Sequence, residues 1–272
     1  MFMERRQAVK TIQVFFLALF VGALPGFLRA FNLWALMAAE WALPASLEAA
    51  EREITFQGQQ WLVKASRERV GPGPNYFSAS PENVFVDPDG RLHLRIVQRA
   101  GRWHSAEVIS RQTVGYGTYR FEIEQANPLD ANAVLGAFTW GDESGPHNHE
   151  IDALEVGHFG NESRMSNAQV VVQPAETYGN LQRFLLPHGG TTAHYMQWMP
   201  AGLRFRAAEG DGPVIHEWSY PGPAPSISNE RLHFRFNLWL YQGRSPSAGK
   251  EVEVIIKSFS FEPAPSTPRM TS

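Results

Sequence analysis

The chain has 272 residues, a net charge of −3, a pI near 6.3, 43% hydrophobic residues and no cysteine. That much apolar surface excludes a wholly disordered chain, and the charge balance excludes a strongly basic footprint, so no nucleic-acid partner is expected. The lack of cysteine removes disulfides, thiolate metal sites and a thiol nucleophile together, while 23 Gly and 19 Pro point to a turn-rich, all-β body.

Residues 1–10 carry Arg5, Arg6 and Lys10 against Glu4, and residues 11–28 carry no charge. A basic stretch before an apolar run is the layout of an export signal, with Val21-Gly22-Ala23 as small residues for cleavage. The run is also at the lower edge of what spans a bilayer, so an uncleaved anchor with its basic end inside is the rival reading, and a buried helix the third. Residues 27–51, rich in Ala, Leu and Trp, favour helix, lying on a membrane surface or packed on the later domain. Residues 1–50 are therefore expected to be a signal or membrane-anchor segment with a helical linker. The protein is expected to be extracytoplasmic, with membrane association through residues 11–28.

From Ile54 short β-branched and aromatic runs alternate with Gly, Pro, Asn and Asp. Strands are expected over 83–87, 92–97, 107–110, 117–124, 134–140, 168–173, 195–198, 203–207, 232–241 and 251–261, with a Pro88-Asp89-Gly90 turn after the first. Many short strands without a long 3.6-residue period argue for a sandwich or barrel over residues 51–262, ending in a flexible 263–272 tail.

The densest chemistry is in residues 147–155, where Glu150, Asp152 and Glu155 fall within six positions. On a strand Glu150 and Asp152 share a face, whereas Glu155 is out of phase. One bulge at Ala153 or Leu154 brings Glu155 back to that face and turns Ile151 towards the opposite sheet. Clustered, buried carboxyls raise one another's pKa, which lets one stay protonated as an acid while another is an ionised nucleophile. A retaining glycosidase needs such a pair with its carboxyls about 5–5.5 Å apart. The structural reading is a solvated acidic strand face. A metal reading also competes: His147 and His149, at i and i+2, share a strand face and with Glu155 offer three ligands. Gly141, His147 and His149 resemble the opening of the cupin motif, but Glu155 comes too late and the second half-motif is missing.

These residues resemble glycoside hydrolase family 16, the laminarinase, lichenase and related β-glucanase group. Residues 150–155 match its bulged E-x-D-x-x-E form, residues 115–122 are similar to its Y-G-x-x-E strand, residues 134–140 stand where it has a Trp-bearing strand, and residues 232–239 look like its N-x-W strand. The resemblance covers roughly residues 55–262. It implies a concanavalin A-like β-jelly-roll of two curved antiparallel sheets with a sugar cleft. It further implies a retaining endo-acting hydrolase of a β-linked polysaccharide, a β-1,3/1,4-glucan or galactan. By carry-over Glu150 is the nucleophile, Asp152 the auxiliary acid and Glu155 the general acid/base. No cofactor is required. Some family members carry a structural calcium, for which this sequence has no clear oxygen-rich loop. The H-x-Y/F-x-x-x-W stretch is met only loosely by residues 192–198, and the W-P-A-x-W pattern is absent around Trp140, which leaves the glycan unnamed.

Aromatic rings stack on the apolar faces of sugars. The motif positions of Trp140 and Trp239 mark them as cleft walls, with Asn237 beside the latter; Tyr116 and Trp198 are weaker candidates. The Gly-Pro alternation of residues 70–77 would hold Asn75 or Tyr76 towards sugar hydroxyls, the competing reading being an ordinary surface turn. His158, Asn180 and Arg111 are loose candidates for the cleft rim. The alternatives to hydrolysis are a non-catalytic, lectin-like glycan binder and a cell-surface transglycosylase.

Overall fold

The computed structural model describes residues 52–125, 128–142, 146–227 and 231–265. The expectations for residues 1–50 and for most of the tail lie outside these residues. Among the described residues no helix is long and apolar enough to cross a membrane.

The strands run in chain order as β1 (Arg52–Phe56), β2 (Gln59–Val63), β3 (Tyr76–Phe77), β4 (Val84–Val86), β5 (Leu92–Arg99), β6 (Arg102–Val114), β7 (Gly117–Gln125) and β8 (Ala133–Trp140). After a 3-10 turn, Pro146–His149, come β9 (Ile151–Gly157), β10 (Ala168–Val172), β11 (Leu181–Phe184), β12 (Gly190–Met199), β13 (Gly202–Ala208), β14 (Val214–Ser219), β15 (Leu232–Leu240) and β16 (Val252–Pro263). One layer has the order β11-β10-β9-β8-β15-β6, extended by β2 and β1. The other has the order β5-β16-β7-β12-β13-β14, with β4 on β5. The layers join where β5 meets β6, over the short register from Val97↔His104 to Arg99↔Arg102. Apart from the short parallel β3–β6 contact, the pairings within and between these strands are antiparallel. This is the expected two-layer jelly-roll.

Period-two alternation places the core between the layers. On β15, Leu232, Phe234, Phe236, Leu238 and Leu240 are buried. Phe234 and Phe236 meet Phe259 of β16 at 4.7 and 5.7 Å between ring centroids, and Trp61 of β2 reaches Phe259 edge-on at 5.2 Å. Each such aromatic stabilises the sandwich by roughly 1.5–3 kcal/mol on burial. The intervening residues of the first layer, Arg235, Asn237 and Trp239 on β15 and Glu107 on β6, therefore project to its other face. That face carries the site.

The strands differ from expectation mainly at edges. β6 runs thirteen residues where 107–110 was expected, and β12 begins at Gly190. β1, β2, β3, β11 and β14 have no counterpart among the expected strands. β14 shows the reason: it is an edge strand whose exposure pattern is mixed on both faces, so it has no clean alternation to read.

Candidate active site

The bulge that the acidic motif requires is present. β8 pairs Ala137 with Leu154 and Phe138 with Asp152, and β10 pairs Gln169 with Glu155 and Val171 with Asp152. Ala153 is therefore the extra residue. Ile151 and Leu154 both turn into the core, fully buried, and Asp152 and Glu155 both face the cleft. Glu150, immediately before β9, joins them. Its carbonyl accepts from Gln173 N at 3.2 Å and its N–H donates to His147 O at 3.0 Å. Thr139 clamps the strand start, donating to His149 O at 3.1 Å and accepting from Ile151 N at 3.2 Å.

The three carboxyls line a cleft of about 550 Å³. β8 supplies Gly136, Phe138 and Trp140 to it, β15 supplies Arg235, Asn237 and Trp239, and β6 supplies Glu107. Lys64 follows β2, and Gly71 and Pro72 close that end. The cleft thus runs across the strands, with two tryptophans among its walls. Asn237 sits opposite Gly136 in the ladder. A Cβ at Gly136 would lie 2.5 Å from Asn237 Oδ1, so glycine is what lets the amide lie over β8. Asn237 Oδ1 and Arg235 Nε are buried without a partner among the described residues.

Burial dominates the electrostatics. It pushes the Glu150 carboxyl up to about 7, helped by the charge of Glu155, while a hydrogen bond from Asp152 and the charge of Arg235 act the other way. Burial first, then Glu155 and Glu150, raise Asp152 well above the carboxylate range, so Asp152 is the protonated partner that donates to Glu150. Gln173 Nε2 donates to Asp152 Oδ2 at 3.1 Å. Glu155 is also raised by burial, opposed by the hydrogen bond from Gln169 and by Arg164 and Arg183.

Next to the carboxyls lies an ion network made by residues the sequence reading did not assign to the site. Arg235 donates from Nη1 to Glu107 Oε1 at 3.0 Å and from Nη2 to Asp142 Oδ1 at 2.7 Å. Lys64 Nζ holds Glu107 Oε2 at 2.8 Å and donates to Gly71 O at 2.9 Å. Two cations and two carboxylates compensate one another there. The signal that could have found them is a charged residue at the outward phase of an otherwise apolar strand: Glu107 between Ala106 and Val108, and Arg235 two positions before Asn237.

Some expected residues stand elsewhere. Asn75 does not face the cleft: it is 3% exposed, with every valence of its amide used inside the protein. Nδ2 donates to Pro72 O and Leu240 O, both at 2.8 Å, and Oδ1 accepts from Ser105 Oγ at 3.1 Å and Leu240 N at 3.2 Å. It is a brace behind the loop. Tyr116 also lies away from the cleft, bonded through its hydroxyl to Pro225 O and Ile227 N and packed edge-on against Trp198, which is buried in the core. Asn180 is tied to Pro174 O and Tyr220, and Arg111 pairs with Glu53. His147 and His149 are on the 3-10 turn, with positive φ at residues 147–149, so the strand spacing that would align their rings does not hold. No group of three His, Asp or Glu able to hold a metal ion occurs among the described residues.

No family model matches the chain, and no curated protein does. Solved structures do. A β-glucanase from Bacillus licheniformis superposes with a TM-score of 0.56 and 17% identity, covering 78% of this chain and 98% of its own. A glycoside hydrolase family protein from Mycobacterium thermorestibile gives 0.59 and 19%, covering 79% and 98%. An immunostimulatory antigen and pseudo β-1,3-glucanase of Mycobacterium tuberculosis gives 0.57 and 22%, covering 72% and 88%. The chain has the fold of these β-glucanase and glycosyl hydrolase structures.

Proposed function

We propose that this protein is a retaining, endo-acting glycoside hydrolase of family-16 type that cleaves a neutral β-linked polysaccharide, a β-1,3/1,4-glucan or a galactan. The observation that carries this reading is the Ala153 bulge, which brings Glu150, Asp152 and Glu155 into one Trp-walled cleft. A hydrogen bond from Asp152 and the charge of Arg235 both favour the ionised form of Glu150, which suits it to the nucleophile's role. Glu150 attacks the anomeric carbon as the glycosidic C–O bond breaks, and the Glu155 proton passes to the leaving oxygen. Water then adds to the same carbon, gives a proton back to Glu155 and releases Glu150, with net retention. Trp140 and Trp239 stack on sugar faces, and Asn237 Oδ1 accepts from a hydroxyl. The mutual compensation of Lys64, Glu107, Arg235 and Asp142 leaves no free cation in that network for an acidic substituent, which favours a neutral glycan.

The basic-then-apolar order of residues 1–28 supports export or anchoring, which would place this domain outside the cytoplasm and beside polymeric glycan.

The test is a panel of defined β-glucans and galactans with the purified full chain, with the product anomer read early by NMR. The reading expects a β-configured first product, and loss of release but not of binding in Glu150→Gln. Equal turnover in that variant, or no release from any of these glycans, overturns it. A glycan binder without hydrolysis is the second reading, favoured by the neighbour described as a pseudo β-1,3-glucanase; it expects binding with no release in the unsubstituted protein. Transfer to a sugar acceptor uses the same acids and is separated by product analysis.

A further inference from the structure

The cleft holds a buried arginine that the hydrolytic steps do not themselves call for. Arg235 is 6% exposed, and its guanidinium ties three strands together. From β15 it donates to Glu107 on β6, whose carboxylate is fully buried, and to Asp142 just beyond the end of β8. Asp142 Oδ1 also accepts the indole N–H of Trp140 at 3.1 Å. The guanidinium carbon lies 5.7 Å from the Trp140 ring centroid, within cation–π range. Trp140 is the last residue of β8, so strand pairing stops where its ring begins to matter. The Asp142–Arg235 pair supplies the restraint that the ladder no longer does.

The same cation shares the cleft with Glu150. The charged and titratable groups around Glu150 are Asp152 and Glu155 on β9, Arg235 on β15 and Glu107 on β6; of these the Asp152 hydrogen bond and the Arg235 charge favour the ionised carboxylate, while Glu155 and Glu107 oppose it. Lys64 balances Glu107 from the far side.

We propose that Arg235 is a positioning residue of this cleft, holding the Trp140 indole as a fixed sugar-stacking wall through Asp142 while its place on Glu107 keeps a positive charge beside Glu150. The proposal rests on the hydrolase reading for the roles of Trp140 and Glu150. Lysine cannot replace arginine fully here, because only the planar fork reaches two carboxylates at once.

The experiment uses the full chain labelled with [13C]glutamate, in which the Glu150 carboxyl signal is the one missing from Glu150→Gln. Arg235→Met is expected to raise the Glu150 titration midpoint by about half a pH unit or more, and to raise KM for a defined oligosaccharide by roughly tenfold. Arg235→Lys is expected to retain the midpoint but keep the raised KM. Asp142→Ala, at an exposed side chain, is expected to raise KM without moving the midpoint. An unmoved midpoint in Arg235→Met, or an unchanged KM in Asp142→Ala, overturns the proposal. Should Arg235→Met fail to fold, Arg235→Lys decides: wild-type behaviour in both readouts overturns it. The titration needs no turnover, so a protein that hydrolyses none of the glycans sinks the hydrolase reading while the charge placement is still measured.

Discussion

Gln169 Nε2 donates a 2.7 Å hydrogen bond to Glu155 Oε2, and Gln169 Oε1 accepts one from Arg183 Nε at 3.2 Å. The three residues lie directly across from one another on β9, β10 and β11. The arginine therefore fixes which way the amide points, and the amide fixes one oxygen of Glu155, leaving the other, on the hydrolase reading, to carry the acid proton. Gln169→Leu is predicted to lower kcat by roughly tenfold to a hundredfold through misplacement of that carboxyl, with KM less affected. The lost bond favoured the ionised form, so Glu155 would hold its proton to higher pH and the alkaline limb of the rate profile would move up. A profile that keeps its limb would show that Gln169 does not act on Glu155.

Stability should fall as pH rises through the carboxyl window. Glu150 goes from an ordinary value of 4.5 unfolded to about 7 folded, and Asp152 and Glu155 are raised as well. The folded state therefore binds more protons than the unfolded state in this window, and the slope of unfolding free energy against pH is negative there. The triad's contribution is fully present below the unfolded values and is lost on approach to neutrality. Glu150→Gln should melt higher than wild type at pH 7 and show little difference at pH 4. A Tm difference that does not depend on pH would contradict this.

Gly136 is predicted to tolerate no side chain. Alanine there meets Asn237 Oδ1 and must displace the amide or the strand, at a cost of roughly 1–3 kcal/mol. On the hydrolase reading KM should rise more than kcat falls, because the displaced group binds substrate and does not react. Chemical denaturation and steady-state kinetics on one preparation check both parts.

Asn75→Ala should destabilise the chain by roughly 2–4 kcal/mol, since it strands buried partners at Leu240 and Ser105. If Asn75 instead served the substrate directly, the variant would keep its denaturation midpoint and lose only affinity.

Much of the fold was legible because alternation is a local property. The residues 232–240 alternate large apolar with polar or cleft-facing groups, and that alone assigns Phe234 and Phe236 to the core and Arg235 and Asn237 to the other face. Edge strands such as β14 were not legible, because half their contacts are with solvent and their composition is mixed. The tryptophans divided in the same way. Trp140 and Trp239 line the cleft, whereas Trp198, in phase with buried His194 and Met196 on β12, is core.

By itself the sequence determined the class of fold, the candidate acids and the need for one bulge among residues 153–154, because six consecutive positions carry both the apolar and the acidic demands. Only the tertiary structure decided that the extra residue is Ala153, that Asn75 braces the loop instead of facing the cleft, and that Lys64, Glu107, Asp142 and Arg235 share one network. Those four residues span more than 170 positions of chain. Their meeting follows from a strand order that sets β15 between β8 and β6, and neither composition nor periodicity along one strand encodes which strand becomes its neighbour.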